Sequence, residues 1–167
     1  LFGLDPDSNK RSKLISEFLD SSDFDTAQAR YWRDVIFSRA TEVRSRLMVN
    51  TFQTWMTEQF QQRQGWDKIV DSLLTATGDV RENGATALLF AQGGQAAELA
   101  AETSRIFLGI QIQCANCHDH PTDTWKRIQF HQLAAFFPRV RVRPVRDSTP
   151  RTFEVVSLNS NPRSRSN

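Results

Sequence analysis

Five side chains able to bind a metal or carry redox chemistry fall between positions 114 and 131: Cys114, Cys117, His118, His120 and His131. They are the only cysteines and histidines in the chain, and four of them share the octet CANCHDHP at 114 to 121. Cys114, Cys117 and His118 have the C-x-x-C-H spacing of covalent haem attachment. The spacing has a chemical reason. Two thiols three positions apart on one helical turn can each form a thioether with a haem vinyl group, and the adjacent imidazole then meets the iron from the proximal side. The aromatic-rich stretch that follows, with Trp125, Phe130, Phe136 and Phe137, offers surface to bury a porphyrin. Trp125, Phe130 and Phe137 are therefore the expected haem contacts.

Three other readings use the same residues. Cys114 and Cys117 with two of His118, His120 and His131 make a tetrahedral zinc set. The C-x-x-C pair alone is a redox dithiol, although the helical setting before it is unlike the strand-then-helix context of thioredoxin-like proteins. The plainest reading is two structural cysteines beside a polar turn. For a haem, His120 lies too close to His118 in the chain to reach the opposite face of the iron, so it is expected to bond a propionate or a backbone carbonyl. Asp119 is expected to orient a neighbour. His131, on an apolar helical face, is either a satisfied core histidine or the distal ligand. Met48 and Met56 are the sulfur candidates, and both sit in apolar helical stripes where packing is the simpler role.

The elements that must position this group are helical by pattern. Leu14, Ile15, Phe18 and Leu19 mark a short amphipathic helix over 10 to 20. The SSDFDT caps precede a helix predicted from Ala27 to Arg46, with Trp32, Val35, Ile36, Ala40 and Val43 as its stripe. Further helices are predicted over Thr51 to Gln62 and from Trp66 through Leu74, the latter stopped by Gly78. Glycines at 78, 84, 93 and 94 suggest a loop with one helical turn near 86 to 91. AAELAAETSRIFLGIQIQ reads as a strong helix running into the cysteine motif and delivering it to the core. Asp123 is the expected cap of a last helix that Pro138 ends. VRVRPV and TFEVVSL alternate like strands, and NSNPRSRSN reads as a frayed end. The fold class expected is mainly α, an irregular helical bundle with the C-x-x-C-H motif between two helices and a short β-like C-terminal segment. Residues 1–140 form the expected helical domain and 141–167 a basic extended tail.

Composition excludes several classes. With 39% apolar and 24% charged residues the chain can build one core without disulfides. The net charge of +2 is unevenly spread: 139 to 167 hold seven arginines against Asp147 and Glu154, or +5, which leaves −3 for the remainder. Those arginines alternate with valine and proline without stacking aromatics, so a nucleic-acid partner is not expected. No apolar run approaches the roughly 18 residues of a membrane span. The chain starts without Met or a signal-like segment, as expected of a mature or excised piece of a longer protein. No nucleophile elbow, H-E-x-x-H or phosphate loop is present, which favours a carrier or structural subunit over an enzyme.

Three stretches carry a family resemblance: YWRDVIFSRA at 31 to 40, WDKIVDSLLTATGD at 66 to 79, and TSRIFLGIQIQCANCHDHPTDTWKRIQFHQLAAFFPRV at 103 to 140. Over roughly residues 10 to 140 the chain resembles the planctomycetal cytochrome-c-like domains of unknown function, found in large secreted proteins. The resemblance implies a mostly helical, exported haem carrier with Cys114 and Cys117 as attachment residues and His118 as proximal ligand. It places His120 in the core motif. The family commonly has an aromatic after HDHP, where this chain has Thr122, and often tyrosine at the place of His131, which argues against His131 as an obligatory ligand. The expectation is a periplasmic or otherwise extracytoplasmic haem c domain for one-electron transfer, working with a redox or structural protein partner in a multi-subunit assembly. Any membrane association would be peripheral, through that partner. The alternative is a helical interaction domain, zinc-stabilised or metal-free, using the same cluster.

Overall fold

The computed structural model describes residues 7–158. The predicted frayed end at 159 to 167 and most of the opening turn lie outside them. The protein is mainly helical, with one small antiparallel sheet. In chain order it has α1 (Lys10–Leu19), α2 (Ser22–Phe37), α3 (Val49–Gln61), α4 (Trp66–Thr75), β1 (Gly78–Asp79), α5 (Ala87–Ala91), α6 (Ala96–Thr103), α7 (Arg127–Ala134), β2 (Val140–Pro144) and β3 (Phe153–Ser157). The C-x-x-C-H motif lies between α6 and α7. No helix among the described residues is long and apolar enough to cross a membrane.

The periodic helices form where the pattern puts them. In α3 the stripe Phe52 and Met56 is fully buried, and in α4 Ile69 and Leu73 are. The Ser21 hydroxyl accepts from the Phe24 N–H at 3.2 Å and starts α2, with Asp23 and Asp25 in the first turn favouring the helix dipole. In α1 the predicted apolar side faces outward: Ile15, Phe18 and Leu19 are exposed.

α2 ends at Phe37, nine residues before the predicted Arg46, and it starts five residues earlier than predicted. The chain leaves the helix because α5 captures it. The Ala91 carbonyl accepts from the N–H groups of both Thr41 and Glu42 at 3.0 Å, and the buried Gln92 side chain donates to the Arg39 carbonyl at 3.2 Å. A 3-10 turn over Val43–Met48 follows, with Val43 at 85% exposure, so the stripe stops at Ile36.

The glycine-rich stretch, predicted as a loop with one helical turn near 86 to 91, forms that turn as α5 and lies at the centre of the core. Residues Gly84 to Ala91 are buried throughout. Gly84 is there for close approach: a Cβ would stand 2.4 Å from Trp55 Cβ and 2.6 Å from the Thr51 carbonyl oxygen.

The sheet runs in the order β1-β3-β2, with Val155 paired to Gly78 on one side and Val142 on the other. β3 turns Phe153 and Val155 into the same core as the helices. The Phe153 ring packs against Phe90 at a centroid distance of 5.9 Å, and the Arg44 guanidinium lies 4.2 Å above it. Residues expected as an extended tail thus supply core side chains. Phe153→Ala is expected to lower unfolding free energy by about 3–5 kcal/mol in urea titration. A loss below about 1 kcal/mol would put the β2–β3 hairpin outside the cooperative unit.

Candidate haem-attachment site

The helix before the motif does not run into it. α6 ends at Thr103 and passes into a π turn at Ser104–Leu108, closed by Gly109 in the left-handed region at φ 69°. The turn is locked by Ser104, whose carbonyl accepts from the Ile110 N–H at 3.2 Å while its hydroxyl donates to the Ile110 carbonyl at 2.9 Å. Arg105 braces the same turn through the buried Glu102 carboxylate and the Val35 carbonyl.

The motif then forms a 3-10 turn, Ile112–Asn116. Side chains three apart eclipse in such a turn. Ile112 and Ala115 form the inward pair, 4% and 0% exposed. By the same geometry Cys114 and Cys117 form the outward pair, and both are exposed free thiols. The motif therefore sits on the surface, which corrects the expectation that α6 carries it into the core.

The three histidines are sorted by their hydrogen bonds. His118 Nδ1 lies 2.7 Å from the Asp119 carbonyl oxygen. A carbonyl only accepts, so Nδ1 carries the bonding proton, and Nε2 is left without a hydrogen bond. His120 is the reverse: its Nδ1 accepts from the Thr122 N–H at 3.3 Å, which puts the proton on Nε2. His131 donates from Nε2 to the Asn116 carbonyl at 3.2 Å and meets the Phe130 ring edge-on. It ties α7 to the residue between the two cysteines. Of the three, His118 stands directly beside Cys117, and its Nε2 makes no hydrogen bond.

Asp119 is the joint between motif and α7. Its Oδ1 accepts from the Arg127 N–H at 2.9 Å, at the first turn of the helix, and its Oδ2 accepts from Lys126 Nζ at 3.1 Å. The Arg127 amide first, and then Lys126, hold its carboxyl below the usual aspartate range. The predicted cap, Asp123, bonds only its neighbour Thr124. Gln129 completes the start of the helix by accepting from the Lys126 N–H at 2.8 Å. The His120 N–H donates to the Trp125 carbonyl at 2.8 Å and closes the intervening loop. Asp119 escaped sequence reasoning as a cap because it acts eight positions ahead of its partner, a spacing with no helical signature.

The remaining expected contacts belong to the hydrophobic core or its edge. Phe130 is 1% and Phe137 6% exposed within the core cluster, and Trp125 packs against that cluster from its edge. Met48 and Met56 are fully buried core residues. Among the described residues, no three His, Cys, Asp or Glu side chains gather into a metal-holding group. The tetrahedral zinc set is thus not preassembled.

A family model described as "PSCyt2: Protein of unknown function (DUF1549)" matches residues 1–142. The chain belongs to that family. Its match includes the whole motif and all of α1 to α7, and it ends inside β2. No curated protein and no solved structure matches the chain.

Two measurements check this geometry. Long-range proton–nitrogen NMR of the imidazoles is expected to find His118 as the Nδ1–H tautomer and His120 and His131 as Nε2–H. A His118 with its proton on Nε2 would remove the ligand assignment. Because the folded value of Asp119 is depressed, its contribution is complete above the ordinary aspartate value of about 3.9 and is lost as pH falls below it. The Arg127 amide resonance should therefore titrate in that acid window in the native protein and stay flat in Asp119→Ala.

Proposed function

We propose that the protein is an extracytoplasmic c-type haem domain with one attachment site, serving one-electron transfer within a larger assembly. The observation that carries this reading is the pairing of two exposed thiols, one within the 3-10 turn and one capping it, with a neighbouring His118 whose Nε2 makes no hydrogen bond. Cys114 and Cys117 would hold the group by adding their thiols across two vinyl groups. His118 would present Nε2 to the iron while the Asp119 carbonyl fixes its ring. Such a hydrogen bond from the non-ligating nitrogen raises the basicity of the ligating one. His131, bonded to Asn116, would keep the turn in place from behind. When bound, haem supplies the electron chemistry, and the residues around the motif set its attachment and axial field.

The surface position of the thiols suits exchange with a redox or structural protein partner. It also means that Phe130, enclosed in the core, supports the turn from below instead of covering a porphyrin. The donor set fits haem better than zinc. Haem attachment needs two thiols and one imidazole in sequence, whereas zinc needs four ligands converging on a point.

The test is export of the full chain in a host with c-type haem maturation. The purified protein is expected to show sharp Soret and alpha bands when reduced, and a mass increase of one haem that survives denaturation. Cys114→Ala with Cys117→Ala should abolish both. His131→Ala should keep the covalent haem and lower stability by about 1 kcal/mol through its lost hydrogen bond. A colourless wild-type protein carrying stoichiometric zinc, or a double cysteine variant that retains its chromophore, overturns the reading.

A further inference from the structure

Away from the motif, the C-terminal ends of α4 and α7 and the inner face of β3 enclose a cavity of about 440 Å³. That volume falls within the range of about 300–1,000 Å³ typical of small-molecule sites. Its walls are apolar: Leu74, Leu89, Leu133, Phe137, Val140 and Val155. No residue of the stretch 104–132 lines it, so it is separate from the haem-attachment turn.

Thr75, Thr77, Thr103, Arg139 and Ser157 interrupt the apolar lining, and two of them stand out. Thr103, at the end of α6, is 8% exposed, and its Oγ1 is the single buried side-chain polar atom among the described residues without a hydrogen-bond partner. An orphaned buried hydroxyl in an otherwise satisfied interior marks a place where a polar atom is missing. At the exposed rim stands Arg139, the only charged side chain lining the cavity. Its guanidinium has no ion-pair partner among the described residues, unlike Arg143 nearby, which is held by Glu154 at 2.7 Å. Next to it Phe136 is 81% exposed and extends the apolar lip. An open apolar cleft with a free cation at its mouth, and an unsatisfied hydroxyl behind its wall that rotation of the Thr103 side chain would present, selects for shape, charge and one hydrogen bond together.

We propose that this cavity binds a small amphipathic carboxylate, with its aliphatic body between α4, α7 and β3, its carboxylate on Arg139 and a second polar group at Thr103. Burial of each methylene favours binding, the guanidinium selects the anionic end, and the Thr103 hydroxyl prefers a ligand that carries a hydroxyl or carbonyl at its far end. The site is independent of whether haem is attached.

The probes are octanoate, 8-hydroxyoctanoate and 1-octanol, titrated into the full chain and followed by methyl NMR. Saturable shifts are expected at Leu89, Leu133 and Val155 but not at Ile36, which lies outside the cavity. Arg139→Gln should weaken both acids by roughly threefold to tenfold and leave 1-octanol unchanged. Thr103→Val should erase a preference for 8-hydroxyoctanoate over octanoate. Leu133→Trp should fill the cavity and abolish all three, with an unperturbed Ile36 methyl reporting that the core is intact. Absence of saturable shifts in wild type overturns the proposal, as does equal weakening of acid and alcohol by Arg139→Gln. Equal binding of the two acids to wild type overturns the role of Thr103.

Discussion

The structure is organised around the enclosure of Gly84 to Ala91. A stretch of eight residues with no exposed face needs partners on every side, and each major element supplies one. α3 presses its backbone against Gly84 so closely that no side chain fits between them. The Ala91 carbonyl draws in the chain after α2 with two hydrogen bonds, and Phe90 receives Phe153 from β3. Removing such a segment from water is a large apolar gain, and it is realised only when helices and hairpin close together. Several departures from local preference, including the early end of α2 and the exposed Val43, follow from this demand.

The same enclosure explains which parts of the fold were legible. α3 and α4 were readable almost to the residue, because one face of each is buried and the 3.6-residue period survives in the sequence. α5 was not. A helix buried all round has no polar face, so ATALLFA carries no period, and its flanking glycines imitate a loop although Gly84 serves contact. The end of α2 was unreadable for another reason: the carbonyl that captures it is some fifty positions away in the chain. Alternation did reveal the two C-terminal strands, but nothing in their pattern says that β3 lies between β1 and β2 and packs into the helical core.

At the candidate site, spacing separated Cys114, Cys117 and His118 from His120, and the hydrogen bonds draw the same line by tautomer. Burial was misread. Helical residues before the motif suggested entry into the core, but Gly109 breaks the helix, and the 3-10 turn that follows puts its apolar pair inward and its thiols outward. The aromatics after the motif looked like a cofactor wall. Phe130 and Phe137 are instead committed to holding the hydrophobic core together, as their apolar character alone would allow.

The β2–β3 hairpin reaches beyond the stretch that the family model covers. The family match stops at residue 142, yet Phe153 and Val155 lie beyond it and close the interior over Phe90 and Leu89. The helical body is therefore a vessel whose stopper is encoded separately. Phe153 and Val155 share one buried cluster with Ile112 and Ala115 of the cysteine turn, so the hairpin and the motif rest on a common interior.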